Sequence, residues 1–199
     1  MKNLICLLCS TALLSSAANV AYNVDLTVGA GSVTGTITTD GNTGTLGTSD
    51  IVDWSLLLNN GSSTFTLHGP LSGNNSGDLL VGSDLTATIS GLFFNFVSSD
   101  DGQLLFQNPE TGSGQNYICF ADTNGNCDNV FSAVSLCLTG CPGNNIETAE
   151  SGTVEIASAG STGVPEPSTL TLLSLGVGAF LTWGSSRRRD RARRWCRPA

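Results

Sequence analysis

The chain has 199 residues, with 16 Asp and Glu against eight Lys and Arg, a formal net charge of −8, seven cysteines and a single histidine. The basic residues are Lys2 and seven arginines within residues 187–197, so residues 19–159 hold fourteen acids and no Lys or Arg, and that stretch alone carries about −14. A surface of one negative sign excludes nucleic acid and anionic lipid as partners, because binding to phosphate rests on Lys and Arg contacts.

Met1-Lys2-Asn3 supplies a short positive start, residues 4–14 form an apolar stretch too short to span a bilayer, and Ser16-Ala17-Ala18 places small residues where a signal peptidase reads. Residues 1–18 therefore read as a secretory signal peptide, cleaved after Ala18, with signal peptidase as a partner. Cys6 and Cys9 fall inside it and lack the preceding small residues that lipoprotein attachment requires.

Residues 19–159 read as one ectodomain built from short strands. Residues 21–28 alternate apolar and polar side chains, and the β-branched run 32–39 ends at the turn signal Asp40-Gly41. Further strand patterns cover 51–59, then 63–68 after Asn60-Gly61, 83–90, 92–97, 103–107 after Asp101-Gly102, 117–121, 131–138 and 153–158. Strands recurring about every ten residues with Gly, Asn and Ser between them predict an all-β, antiparallel β-sandwich or jelly-roll-like body. Two alternatives are kept: a short helical turn within 129–138, and a Thr- and Gly-rich β-helix.

Several residue groups are candidates for chemistry. On an alternating strand Trp54 shares a face with Val52 and Leu56, which marks it as a core anchor, with a sugar-stacking platform as the alternative. His68, before Gly69-Pro70, is the histidine that any Ser-His-Asp site would need, and it reads as a turn residue. Asp50 with Asp53, or Asp100 with Asp101, are imaginable as glycosidase acid pairs but also suit ordinary turns. The expectation is no catalytic residue and no enzyme.

Cys119, Cys127, Cys137 and Cys141 lie within 23 residues in a chain bound for an oxidising compartment, which predicts two disulfides. Short loops close most easily, favouring Cys119 with Cys127 and Cys137 with Cys141, while the other pairings stay open. Asp122, Asn124, Asn126 and Asp128 place oxygens at alternate positions, the pattern of a calcium loop. Ala133 stands where such a loop wants Glu, and Cys127 where it wants Gly, so no cofactor is expected beyond this weak calcium set.

Gly160-Ser161-Thr162-Gly163 reads as a linker opening the segment 160–199. Pro165, Glu166 and Pro167 make a stiff, non-helical break. The apolar helix predicted over about 168–186 has some 19 residues at ~1.5 Å each, just short of a bilayer core of ~30 Å. The arginine-rich tail 187–199 follows at once, and a positive cluster beside an apolar span stays on the cytoplasmic side, leaving the body outside.

Pro165-Glu166-Pro167, a short apolar helix and an arginine cluster, in that order, resemble the PEP-CTERM sorting signal of Gram-negative bacteria. The resemblance implies that an exosortase-type membrane peptidase recognises Pro165, Glu166 and Pro167 and cleaves near them. It also implies a chain that is transiently anchored in the inner membrane and then delivered to the cell surface or the exopolysaccharide layer. Trp195-Cys196-Arg197-Pro198-Ala199 extends beyond the usual ending of such signals. Gly35-Thr36-Ile37-Thr38-Thr39-Asp40-Gly41 and Ile51-Val52-Asp53-Trp54 are similar to bodies that precede such tails, which implies no particular activity. The leading expectation is a non-catalytic surface or matrix protein, with a carbohydrate-binding module and a secreted hydrolase as alternatives.

Overall fold

The computed structural model describes residues 18–109, 116–141 and 143–160. The expected signal peptide, sorting motif, membrane helix and arginine tail lie outside the described residues, as does Glu110. Among the described residues no helix is long and apolar enough to cross a membrane.

The described residues form thirteen strands: β1 Val20–Val28, β2 Gly31–Thr39, β3 Gly44–Thr45, β4 Ile51–Asn59, β5 Thr64–His68, β6 Gly77–Val81, β7 Leu85–Ala87, β8 Gly91–Asn95, β9 Gln103–Asn108, β10 Asn116–Ala121, β11 Ala133–Leu138, β12 Ile146–Ala149 and β13 Thr153–Ala159. They form two sheets, one of eight strands in the order β3-β7-β8-β13-β1-β2-β4-β5 and one of five in the order β12-β11-β10-β9-β6, with antiparallel pairing throughout. This confirms the all-β antiparallel reading and removes the β-helix alternative. The region 129–138 holds β11 rather than a helical turn, because every residue of Ala133–Leu138 is buried between neighbouring strands.

One core lies between the sheets. Tyr22, Val24, Ile37, Trp54, Leu56, Leu58, Leu92 and Phe94 from the larger sheet meet Leu104, Phe106, Ile118, Phe120 and Leu136 from the smaller. Aromatic rings cross the interface: Trp54 packs 5.2 Å from Phe106, and Phe94 lies 6.0 Å from Phe120. Alternation explains which face is buried on most strands. On β4 it does so only after a bulge, since Thr38 pairs with Asp53 and Thr39 with Ile51. The extra residue turns Ile51, rather than Val52, to the side of Trp54, so the expected Val52–Trp54–Leu56 face is corrected to Ile51, Trp54, Leu56 and Leu58.

Two further corrections concern strand ends. The run expected over 83–90 is paired only at Leu85–Ala87, because Asp84 precedes the strand as a buried turn residue and Thr88 folds back onto Ser90 and Gly91. The run expected from residue 131 begins at Ala133, because Ser132 takes a left-handed backbone (φ 47°) outside strand geometry, although its N–H still bonds the Asp122 carbonyl and its carbonyl the Glu150 N–H.

Trp54 is 2% exposed, and its indole Nε1 donates to Ser76 Oγ at 2.9 Å, while that hydroxyl donates to the His68 carbonyl at 2.9 Å. Trp54→Ala is expected to cost about 3–5 kcal/mol, as for other large-to-small changes of buried aromatic residues. Trp54→Phe should cost clearly less, and urea unfolding followed by circular dichroism measures both.

Candidate metal centre

Pairing register brings three connections to one end of the sandwich. Val81 at the end of β6 pairs with Gln103 at the start of β9, and Gln103 pairs with Ala121 at the end of β10. The segments that continue from these positions, 82–84, 98–102 and 122–126, therefore meet. Thr123 donates from its backbone and its hydroxyl to the Ser98 carbonyl, Asn124 Nδ2 donates to the Ser99 carbonyl at 2.9 Å, and Asp122 N donates to the Gly102 carbonyl at 3.0 Å.

Asp84, Asp100 and Asp122 converge here, each offering a carboxylate oxygen within 4.8 Å of the other two. Glycine permits the approach: a Cβ on Gly102 would lie 1.5 Å from Asp84 Oδ2, and one on Gly125 would lie 2.0 Å from the Gly102 carbonyl oxygen. Asp84 is 4% exposed and Asp122 fully buried, and each has an Oδ2 with no hydrogen-bond partner. Asp100 is exposed and well served, taking the Ser83 hydroxyl at 2.6 Å and the Ser98 hydroxyl at 2.5 Å.

Asp84 and Asp100 shift in opposite directions. Burial, reinforced by the Asp100 and Asp122 carboxylates, pushes Asp84 up to about 7. The Ser83 and Ser98 hydroxyls hold Asp100 well below the usual carboxylate range. A group of three carboxylate oxygens of this kind suits a hard cation.

The sequence-derived calcium set is not kept together. Asp122 alone of the four joins the carboxylate cluster, its Oδ1 accepting from the backbone N–H groups of Asn124 and Gly125. Asn124 is turned to Ser99, and Asn126 Oδ1 accepts from Asn129 N at 2.6 Å. Asp84 and Asp100 escape a local reading because they stand 38 and 22 positions from Asp122 in separate turns.

The four cysteines form the bridges Cys119–Cys127 and Cys137–Cys141. With Tyr117 and Ala121 they build a second small core on the outer face of the five-stranded sheet. That second core explains why β10 and β11 read as almost continuously apolar rather than alternating.

The remaining candidates are structural in their contacts. His68 Nδ1 lies 3.5 Å from Ser55 Oγ, and the ring packs on Gly73. Asp53 Oδ1 accepts from Leu71 N and Ser72 Oγ. Asp50 closes the short 3-10 turn Thr48–Asp50 by accepting from Gly47 N at 2.7 Å, a bond that lowers its pKa. Trp54 offers no exposed ring for a sugar.

Fold and chemistry together define an acidic, disulfide-tied β-sandwich. Beyond that body, residues 163–189 match the PEP-CTERM protein-sorting motif, which takes in Pro165, Glu166 and Pro167, the predicted helix and the first three arginines. The chain thus carries a PEP-CTERM sorting signal, which implies exosortase-mediated processing and points to export and surface sorting. No curated protein and no solved structure matches the chain.

A pH dependence follows from the cluster. In metal-free solution Asp84 stays protonated in the folded body up to about 7, while in the unfolded chain it ionises near its ordinary value of 3.8. The unfolded state then binds fewer protons, so stability falls as pH rises between about 4 and 7. Asp78, raised by burial, adds to the same slope, whereas the contribution of Asp100 is confined to more acid solution. Asp84→Asn should flatten the decline and leave the body more stable than the parent at pH 8 in chelator, as read by urea midpoints across pH.

Proposed function

We propose that this is a non-catalytic protein of the cell surface or extracellular matrix, exported by its signal peptide and held briefly in the inner membrane by the helix over about 168–186. An exosortase-type peptidase then cuts near Pro165-Glu166-Pro167. The observation that carries the reading is the PEP-CTERM motif at 163–189, with its arginines directly behind an apolar segment. Cleavage there removes all seven arginines and leaves a body of about −14, soluble by charge repulsion and indifferent to phosphate-rich surfaces.

Support for a non-catalytic body comes from the contacts of its candidate residues. Asp50 and Asp53 accept from the backbone N–H groups of Gly47 and Leu71, and His68 touches Ser55 only at the outer limit of a hydrogen bond. The absence of basic side chains also favours partners that are neutral or cationic, such as the uncharged polysaccharide of a surface layer, over anionic ones.

The test is the C-terminal mass of the protein recovered from the cell-surface and medium fractions. The expected mature chain ends near Pro165-Glu166-Pro167 and lacks the arginine tail. Glu166→Ala should leave uncleaved chain in the inner membrane. Full-length protein, arginines included, in the surface fraction of cells that hold the peptidase would contradict the reading.

A further inference from the structure

Two of the three carboxylates at the β6–β7, β8–β9 and β10–β11 connections are buried, and each of those two has an oxygen with no protein partner. The body has no Lys or Arg to answer them, and its one imidazole sits on β5 against Ser55 and Gly73. Burying unpaired carboxylates is costly, and grouping them raises the cost. What neutralises them comes from solution, as a proton or as a cation.

We propose that Asp84, Asp100 and Asp122 bind a calcium ion that ties together the loops 82–84, 98–102 and 122–126. Two oxygens on one calcium, at ~2.4 Å each, are separated by at most ~4.8 Å, and the three carboxylate oxygens meet that limit. All the offered atoms are oxygens, which suits a hard cation and not zinc, whose sites are built on Cys and His. The exposure of Asp100 gives the ion a path in and leaves room for waters to complete the six to eight ligands calcium takes.

The loops belong to both sheets. Segments 82–84 and 98–102 each carry the chain from one sheet to the other, and 122–126 is anchored from behind by Cys119–Cys127. An ion at their meeting point clamps the sandwich end as the disulfide clamps the outer face of the smaller sheet. It also neutralises part of the charge that a body of about −14 concentrates there.

The test is calorimetric titration of calcium chloride into the full chain, purified in detergent and stripped with chelator, alongside thermal melting. One equivalent is expected to bind with a dissociation constant of about 10⁻⁴–10⁻³ M, the range of extracellular calcium modules, and to raise the melting temperature. Asp100→Asn, whose side chain is exposed, should keep the parent circular dichroism spectrum and weaken binding at least ~10-fold, because the ligand charge count sets affinity. Asp40→Asn, whose carboxylate serves Asn42 and is not one of the three, should bind as the parent does. The proposal is overturned if folded parent protein gives no heat and no melting shift at about 5 mM calcium, above that affinity range. Equal binding of magnesium would overturn it too, as would loss of binding in Asp128→Asn with full retention in Asp100→Asn.

Discussion

The body has no basic side chain, and this constraint shapes how every carboxylate in it is held. Where other proteins set an arginine or lysine beside a buried acid, this one must use backbone N–H groups, hydroxyls, a proton or an ion from outside. Asp50 takes the N–H of Gly47, Asp53 that of Leu71, and Asp122 those of Asn124 and Gly125. Asp100 is met by two serine hydroxyls. These acids sit in turns because turns are where spare N–H groups point away from the strand ladders. One oxygen of Asp84 and one of Asp122 are left with no donor.

Topology turns this local shortage into a site. The chain changes sheet in the connections β5–β6, β6–β7, β8–β9 and β12–β13, and two of those four contribute a carboxylate to one end of the sandwich. Gly102 and Gly125 let the loops close over one another where any Cβ would collide with a carboxylate or a carbonyl. The core beneath is conventional by comparison, with Trp54 against Phe106 and Phe94 against Phe120 joining the sheets.

Much of the fold was legible in the sequence, and the reasons differ by element. Strand β4 was read over its full extent, Ile51–Asn59, since its apolar pattern is strong and the Asn60-Gly61 turn ends it. Strands β3, β6 and β12 went unread: they are two to five residues long and at or near sheet edges, where half their side chains face water and alternation fades. The observed cysteine pairing is the one that short loop closure favoured among the pairings left open. The carboxylate cluster did not, because Ser83-Asp84, Asp100-Asp101-Gly102 and Asp122-Thr123-Asn124-Gly125 each look like a turn. Only pairing register reveals that the three turns share one end of the molecule. Local spacing instead suggested Asn124, Asn126 and Asp128 beside Asp122; Asn124 bonds the Ser99 carbonyl, Asn126 caps Asn129 N, and Asp128 faces Tyr117.

Destination and architecture meet in the arginine tail, which holds seven of the eight basic residues and lies in a segment that the sorting signal marks for processing. Residues 19–159 hold no Lys or Arg of their own, so whatever neutralises the sandwich end comes from its surroundings. The most direct measurement of that claim is amide hydrogen exchange of the protein in chelator and then in calcium. Slowing confined to segments 82–84, 98–102 and 122–126, with the sheet cores unchanged, is the predicted result; exchange that is the same in both solutions, or slowed evenly over the whole body, would contradict it.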